Sequence, residues 1–301
     1  MGTNTTKTSF AVAAFAAAAL AISACGSDES SSSTSTAASS GITATKDATI
    51  AATVPAKISS AGTLSVASDA SYAPMEFVKD GTKDIVGADV DLATALGQVM
   101  GLKADVQNAT FDAIIPGLAS GKYDIGMSSF TDTKEREETV DFVTYFEVGT
   151  SFFGKKGGPA PDGLADLCGL SVAVQKGTTQ AEEATAQAKT CPADKKLTLL
   201  VFPDQNGANS AVVSGRAQIS MADSPVAAYQ VTQSNGQLEL VGTPYGTAPY
   251  GIAIPKNSGL AEPILAAMKN LIAGGQYTAI LKKWGLEQGA ITDPVINGAI
   301  D

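Results

Sequence analysis

The residues whose chemistry can be read most directly lie between Phe111 and Arg136. Asp124-Ile125-Gly126-Met127 reads as a short buried strand, and Ser128-Ser129-Phe130-Thr131 follows at its end. Asp132 or Thr133 can cap a new helix whose first turn carries Lys134, Glu135 and Arg136. A strand ending in hydroxyls, with an arginine one turn into the next helix, can hold a small anion. The guanidinium is a planar fork matched to a carboxylate, and hydroxyls and backbone N–H groups complete the anion's shell. The alternative is an ordinary capped turn with Arg136 paired to Glu137 or Asp132 at the surface. Gly177-Thr178-Thr179 also follows an apolar strand and opens a helix, where backbone N–H groups and the positive helix end favour an anion. It lacks the GxxxxGK[ST] spacing of a phosphate loop, and a plain N-cap is its alternative. Asp223, after Ile219-Ser220-Met221, is a candidate holder of a cation, or a second cap on the helix that Ser224 and Pro225 begin. Asp89 and Asp91 are read as capping and dipole-balancing carboxylates rather than a catalytic pair.

Composition narrows the chemistry. The chain has 301 residues, enough for two domains, with 44% hydrophobic and 17% charged residues. Its formal net charge of −10 argues against nucleic-acid or anionic-membrane partners. There is no histidine, which removes Ser-His and Cys-His nucleophile pairs and His-based metal sites. No metal or other cofactor is expected.

The N-terminus reads as an export signal. Lys7 precedes an apolar run, Phe10 to Ile22, too short to span a bilayer, and Ser23-Ala24-Cys25 follows. Small residues before a cysteine resemble a bacterial lipobox, which would lipidate Cys25 and hold the protein at the outer face of the cell membrane. An ordinary signal peptide with an incidental Cys25 is the alternative. Residues 26–60 are rich in Ser, Thr and Ala and are expected to be a flexible tether. Cys168 stands at the start of a strand, Leu170 to Gln175, and Cys191 at the end of the helix that follows from Thr179. The helix returns antiparallel to its strand, so both cysteines fall at one edge, where a disulfide is expected in an oxidising compartment. Two reduced core cysteines are the alternative.

The rest of the chain alternates strands and helices. Thr63–Ser68 is an expected strand, and Asp69 to Met75 is the loop it delivers. A strand at Glu76-Phe77-Val78, a helix ending near Met100-Gly101 and a strand from Leu102 to Val106 follow. An apolar-periodic helix through Ile114, Ile115 and Leu118 is stopped at Ser120-Gly121. Val140 to Phe146 and Val148 to Gly154 lead to Gly157-Gly158-Pro159, a boundary by composition. Strand–helix alternation then resumes through Met221, with later strands at Leu238–Val241 and Tyr250–Pro255 and helices from Leu260 and Tyr277. This grammar predicts an α/β protein. Residues 288–301 have no periodicity and are expected to form a loose tail.

Over residues 62–286 the chain resembles the family 3 extracellular solute-binding proteins of polar amino-acid ABC importers. The resemblance is carried by Ile115-Pro116-Gly117-Leu118 with Gly121-Lys122-Tyr123-Asp124, by the hydroxyl-rich turn before Arg136, and by Gly87-Ala88-Asp89-Val90-Asp91-Leu92. In the last of these, Ala88 stands where a large apolar residue is usual. The resemblance implies a two-lobed, type II periplasmic-binding-protein-like fold, each lobe a mixed sheet flanked by helices, with two hinge strands. It places lobe one at 61–150 plus 248–287 and lobe two at 151–247.

It also implies a monomer that captures an amino acid by lobe closure and delivers it to an ABC permease, without covalent chemistry. Arg136, with Ser129 and Thr131, would hold the ligand's α-carboxylate, and Thr178 and Thr179 would clamp it from lobe two. Asp223 would take the α-ammonium. Asp69, Tyr72 and Phe111 would line the side-chain pocket, and Ser128 would meet the ligand. An enzyme of this fold, such as a cyclohexadienyl dehydratase, and a ligand-sensing module for a membrane receptor are the other readings.

Overall fold

The computed structural model describes residue 2 and residues 42–300. Apart from residue 2, the signal segment 1–25, Cys25 included, and the tether residues 26–41 lie outside the described residues. Two short helices open the described chain, α1 (Ala48–Thr53) and α2 (Ala56–Ala61). Next come β1 (Thr63–Ser68), β2 (Ser71–Tyr72), β3 (Glu76–Val78), β4 (Ile85–Val86), α3 (Ala88–Met100) and β5 (Lys103–Asn108). The central stretch forms α4 (Phe111–Ala119), β6 (Ile125–Gly126) and the one-turn α5 (Lys134–Glu137), and β7 runs from Val140 to Lys155. Beyond it lie β8 (Ser171–Gln175), α6 (Thr179–Thr190), β9 (Thr198–Phe202), α7 (Gln205–Ser214), β10 (Ile219–Asp223) and α8 (Ser224–Gln233). The long β11 (Leu238–Pro255) and the helices α9 (Ala261–Ala273) and α10 (Gln276–Trp284) complete the order.

One eight-stranded sheet carries the architecture, in the order β5-β1-β6-β11-β7-β10-β8-β9, flanked by helices. At one end β5, β1 and β6 are parallel, and at the other β10, β8 and β9 are parallel. Two long antiparallel strands, β7 and β11, join the ends. β11 meets β6 at Ala253, and β7 meets β10 from Thr150 to Gly154. Where the two cross from one group to the other, their register shifts between Val241 and Tyr245, between Tyr245 and Ala248, and between Tyr250 and Gly251. The sequence had suggested two separate strands for β11, at Leu238–Val241 and Tyr250–Pro255, and for β7 a strand-like run from Val140 to Phe146 with Val148 to Gly154 carrying the chain onward. The segments fuse because each partner supplies hydrogen bonds across the irregular stretch.

Local chemistry accounts for most element ends. α3, α7 and α10 stop at Gly101, Gly215 and Gly285, each in the left-handed conformation that costs glycine least. Thr133, Thr178 and Asp204 cap α5, α6 and α7 with their side chains. The α3 expectation needs correction. Its N-cap is Gly87 with no side-chain cap, so Asp89 and Asp91 lie in the first turn without capping it. Asp91 instead accepts from Lys283 (2.6 Å) and Trp284 (2.8 Å), tying α3 to α10.

Two further expectations are overturned. Residues 42–60 are packed onto the body rather than tethering it. Asp47 caps α1, its N–H donates to the Val99 carbonyl, and Val54 and Ile58 are buried. Ile50, Val54 and Ile58 recur every four residues, an apolar stripe hidden in a polar average composition. Residues 288–300 are likewise held, since Val143 bridges Ile296 and Thr144 binds Val295. A stretch fixed by backbone pairing to a neighbour needs no periodicity of its own. The Cys168 and Cys191 sulfurs lie within bonding distance at one edge of the β8–α6 unit, with Cα atoms 5.4 Å apart.

If 42–60 belong to the folded body, Ile58→Ala should cost about 2–4 kcal/mol and lower the melting temperature by roughly 5–10 °C. A thermal melt indistinguishable from the parent's would return this segment to the tether.

Candidate ligand-binding site

Each group expected in the site sits where a strand ends or a helix starts. Asp69 follows β1, Ser128 and Ser129 follow β6, and Asp223 ends β10. Phe111 opens α4, and Thr178 and Thr179 open α6. All ten candidates, Asp69, Tyr72, Phe111, Ser128, Ser129, Thr131, Arg136, Thr178, Thr179 and Asp223, line one pocket. It lies between the two parallel strand groups. Three further residues line it, Glu76, Gln175 and Gln180.

Arg136 is half-buried, with its guanidinium over the faces of Phe111 (5.7 Å) and Phe130 (5.6 Å), which stack on each other at 4.4 Å. Its Nη1 donates to the Thr131 carbonyl at 2.8 Å and its Nη2 to the Gly177 carbonyl at 3.0 Å. The surface pairing with Glu137 or Asp132 is not formed, and burial lowers the guanidinium's pKa. Gly177 has a φ of +78°, and a Cβ there would lie 3.0 Å from the Asp112 Cβ. Only glycine lets this turn approach α4 so closely.

Asp223 is the backbone N-cap of α8, but its side chain makes no capping hydrogen bond, and Ser224 is the first helical residue. The carboxylate faces the pocket instead. It accepts from Tyr72 (2.8 Å), Tyr250 (2.6 Å) and Gln180 (2.8 Å). Burial raises its pKa, against these hydrogen bonds and the influence of Arg136. Hydrogen bonds to a charged group contribute about 1.5–3 kcal/mol each, so three of them offset much of the cost of burying it. Thr178 donates to the Gln175 carbonyl and accepts from Ala181, so it is an N-cap as well as a pocket residue.

The far end of the pocket is acidic. Asp69 accepts from Ser71, from the Phe111 N–H (2.9 Å) and from Gln175 (3.1 Å). Glu76, fully buried, accepts from Ser128 (3.0 Å) and Ser129 (3.2 Å). Beside it, Asp89 accepts from the Ser129 N–H (2.9 Å) and Tyr145 (2.8 Å). Ser129 holds a positive φ of 53°, an uncommon conformation for serine that aims its N–H and hydroxyl at these two carboxyls. Burial raises both pKa values, Asp89 to about 6 and Glu76 well above the ordinary range, where the nearby Asp89 adds to the rise. Among the described residues no ion pair reaches Asp69, Glu76, Asp89, Arg136 or Asp223, and no metal-binding cluster is present.

Sequence reasoning missed Glu76, Gln175 and Gln180. Gln180 had a signal, being next after Thr179 in the first turn of a recognised anion turn. Gln175, at a strand's end, had the same positional signal as Asp223. Glu76 had none, because its short strand reads as a surface hairpin.

A sheet built from two parallel groups joined by two crossing strands, with charged groups from both groups meeting in one pocket, defines a two-lobed solute-binding protein of the type II periplasmic class. The model of the bacterial extracellular solute-binding proteins, family 3, matches residues 64–287, and the chain belongs to that family. An arginine-binding protein of Corynebacterium glutamicum is 36% identical over 251 residues, covering 82% of each chain. A glutamine-binding ABC transporter protein of Bacillus subtilis is 32% identical, covering 69% of this chain and 75% of its own. The structure of an ancestral arginine-binding protein bound to arginine superposes with a TM-score of 0.69 at 38% identity, over 74% of this chain and 98% of that one. An ancestral amino acid-binding protein that is a precursor of cyclohexadienyl dehydratase matches with a TM-score of 0.69 at 35% identity, over 76% and 97%.

The acidic end makes the protein pH-sensitive. Asp89 and Glu76 have folded pKa values above their unfolded ones, so their stabilising contribution is complete at low pH and is lost as pH rises through the folded values, near 6 for Asp89. The ligand-free melting temperature should therefore fall as pH rises from about 5 to about 8, and Glu76→Gln should flatten that slope. An unchanged slope in Glu76→Gln would mean that the pair is not coupled.

Proposed function

We propose that this protein captures a free amino acid between its two lobes and delivers it to an ABC importer permease. The observation that carries this is the pairing of Arg136 and Asp223, charges of opposite sign from the two strand groups that share one pocket without forming an ion pair with each other. An α-amino acid is a zwitterion that satisfies both. Arg136, Ser129 and Thr131 take its carboxylate with the Thr178–Thr179 turn, and Asp223 takes its ammonium. Asp69, beside the buried Glu76, then remains without an ion-pair partner among the described residues. A ligand with a polar or basic side chain fits that end, and a cationic one fits best. The names of the relatives agree with this class. The lobes run over 61–150 with 248–287, and over 151–247, and ligand held from both sides favours closure. Binding rather than catalysis is the reading, supported by a chain without histidine and by relatives named as binding proteins. A sensing role would use the same cleft.

Losing either charge partner should cost about 2–5 kcal/mol, or roughly thirty-fold to several-thousand-fold in affinity. Calorimetry on Arg136→Ala and Asp223→Ala should show this, and a thermal-shift screen of the twenty amino acids should give the largest stabilisation with a cationic one. Deleting the protein should abolish cellular uptake of that amino acid. Near-parental affinity in both variants, or an acidic amino acid as best ligand, sinks the assignment.

We further infer that the protein is exported, lipid-anchored through Cys25 and cross-linked between Cys168 and Cys191. The short apolar run before Cys25 and the proximity of the other two sulfurs support this. A disulfide closing such a loop stabilises by about 3 kcal/mol in the chain-entropy model. Non-reducing mass spectrometry of protein isolated from cells should show a lipidated N-terminal Cys25 and a linked Cys168–Cys191 peptide. An N-terminus elsewhere, or free thiols at both positions, refutes the respective part.

A further inference from the structure

The turn that carries Arg136 is fastened from behind by the chain's C-terminal segment. That segment pairs with β7. The Phe142 N–H donates to Asn297 Oδ1 (2.8 Å), the Asn297 N–H to the Phe142 carbonyl (2.9 Å), and the Val295 N–H to Thr144 Oγ1 (2.9 Å). It then reaches α5. The Gly298 N–H donates to Asp132 Oδ2 at 2.8 Å and the Ala299 N–H to Glu137 Oε1 at 3.2 Å. Asp132's own N–H donates to the Pro249 carbonyl on β11 at 2.9 Å, at the crossing of the two long strands. An aspartate before a short helix usually caps it, but here Thr133 does so, accepting from the Arg136 N–H. The Asp132 carboxyl is 2% exposed, and its Oδ1 is buried with no hydrogen-bond donor. A buried, half-satisfied carboxyl is costly, and its hydrogen bond to Gly298 is what it contributes in return.

We propose that Asp132 is a positioning residue for ligand binding, holding residues 295–299 as a strap that fixes the Thr131–Arg136 turn against β11. The proposal rests on the amino-acid site argued above. The route to the ligand is short, because Arg136 Nη1 is oriented by the carbonyl of Thr131, the residue preceding Asp132. Thr131 itself bridges Tyr250, whose hydroxyl holds Asp223. One junction therefore sets the geometry of the anion holder and touches the strand that supports the cation holder.

The junction also titrates. Burial, chiefly, and the adjoining Glu137 carboxyl raise Asp132 to about 7, against the Gly298 hydrogen bond and Lys134. Arg136 is the other charge that faces it. The strap and β11 bring the Gly298 N–H and the Pro249 carbonyl. Burial raises this pKa above its ordinary 3.8 while the strap's own Gly298 hydrogen bond lowers it, so ionisation of Asp132 near pH 7 alters its hold on the strap.

Hydrogen-exchange mass spectrometry on the full chain, read over residues 129–137 and 294–300, tests this beside calorimetry with L-arginine. The variants are Asp132→Ala, Asp132→Asn, Gly298→Ala and the Asp132→Ala, Gly298→Ala double. A Cβ on Gly298 would lie 2.8 Å from methyl carbons of Thr144 and Val295, so Gly298→Ala lifts the strap from the other side. Each alanine variant should speed ligand-free exchange in 129–137 and weaken L-arginine binding by about tenfold, and the double should be no worse than the weaker single. In Asp132→Asn, which keeps an oxygen acceptor for Gly298 but cannot ionise, the exchange of residues 294–300 should no longer change between about pH 5.5 and 7.5 beyond the intrinsic rate, whereas Ser129 keeps the dependence that its hydrogen bond to Asp89 brings. Parental exchange in 129–137 when 294–300 is loosened, or effects that multiply in the double, would overturn the proposal. If Asp132→Ala does not fold, a parental pH profile in Asp132→Asn overturns it alone. A parent that binds no amino acid refutes the amino-acid site, while the ligand-free exchange comparison still decides the strap.

Discussion

The structure depends on bringing unlike charges, the half-buried Arg136 and the buried Asp223, into one pocket without pairing them with each other. Arg136 and Asp223 come from opposite ends of one sheet, and each is satisfied by neutral groups. Backbone carbonyls serve Arg136, and two phenols and an amide serve Asp223. A direct ion pair would consume both charges. Neutral donors and acceptors instead keep them in low dielectric, where a zwitterion's two ends meet far stronger interactions than in water. Such a site is costly to build, which explains how many hydrogen bonds converge on it.

The contacts between the two halves are of graded strength. Tyr72 to Asp223 and Gln175 to Asp69 are buried among the pocket-lining residues, and Arg136 to the Gly177 carbonyl lies at the pocket's exposed side. Lys176 to Asp112, at 2.8 Å, is a largely exposed pair, and such pairs contribute little. What closes the cleft is thus concentrated on the pocket-lining groups, where a ligand can compete for or complete it. Closure sensitive to ligand rather than to surface charge follows from that distribution.

Acid dominates the remaining pocket. Asp69 and Glu76 line one end, with Asp89 behind Ser129, and the pKa values of all three are raised chiefly by burial. Ser128 and Ser129 connect this end to the turn bearing Arg136, so the acidic groups and the guanidinium are positioned by one backbone segment. The strained φ of Ser129 is a local cost of placing two donors on the acid pair from one residue.

Asp69, Tyr72, Phe111 and Ser128 were implied by the family resemblance, whereas the sequence by itself determined the alternation of strands and helices and the turn chemistry around Arg136, Thr178 and Asp223. These are local properties. A hydroxyl run after an apolar strand, an arginine one turn on and a glycine before two threonines mark positions where a strand must end and a helix begin. Open α/β sheets place ligands at such ends. Tertiary structure alone decided what depends on distant partners. Glu76 became a pocket acid because Ser128 and Ser129, some fifty positions away, turn toward it. Asp89 left its expected capping role because Tyr145 and the Ser129 N–H compete for it. Residues 42–60 and 288–300 joined the body because α3 and β7 offered them unpaired backbone and apolar surface. In 42–60 a polar average composition hid the Ile50, Val54 and Ile58 stripe, and 288–300 had no periodicity to announce it. Composition averages over a segment, whereas packing uses single side chains and single hydrogen bonds.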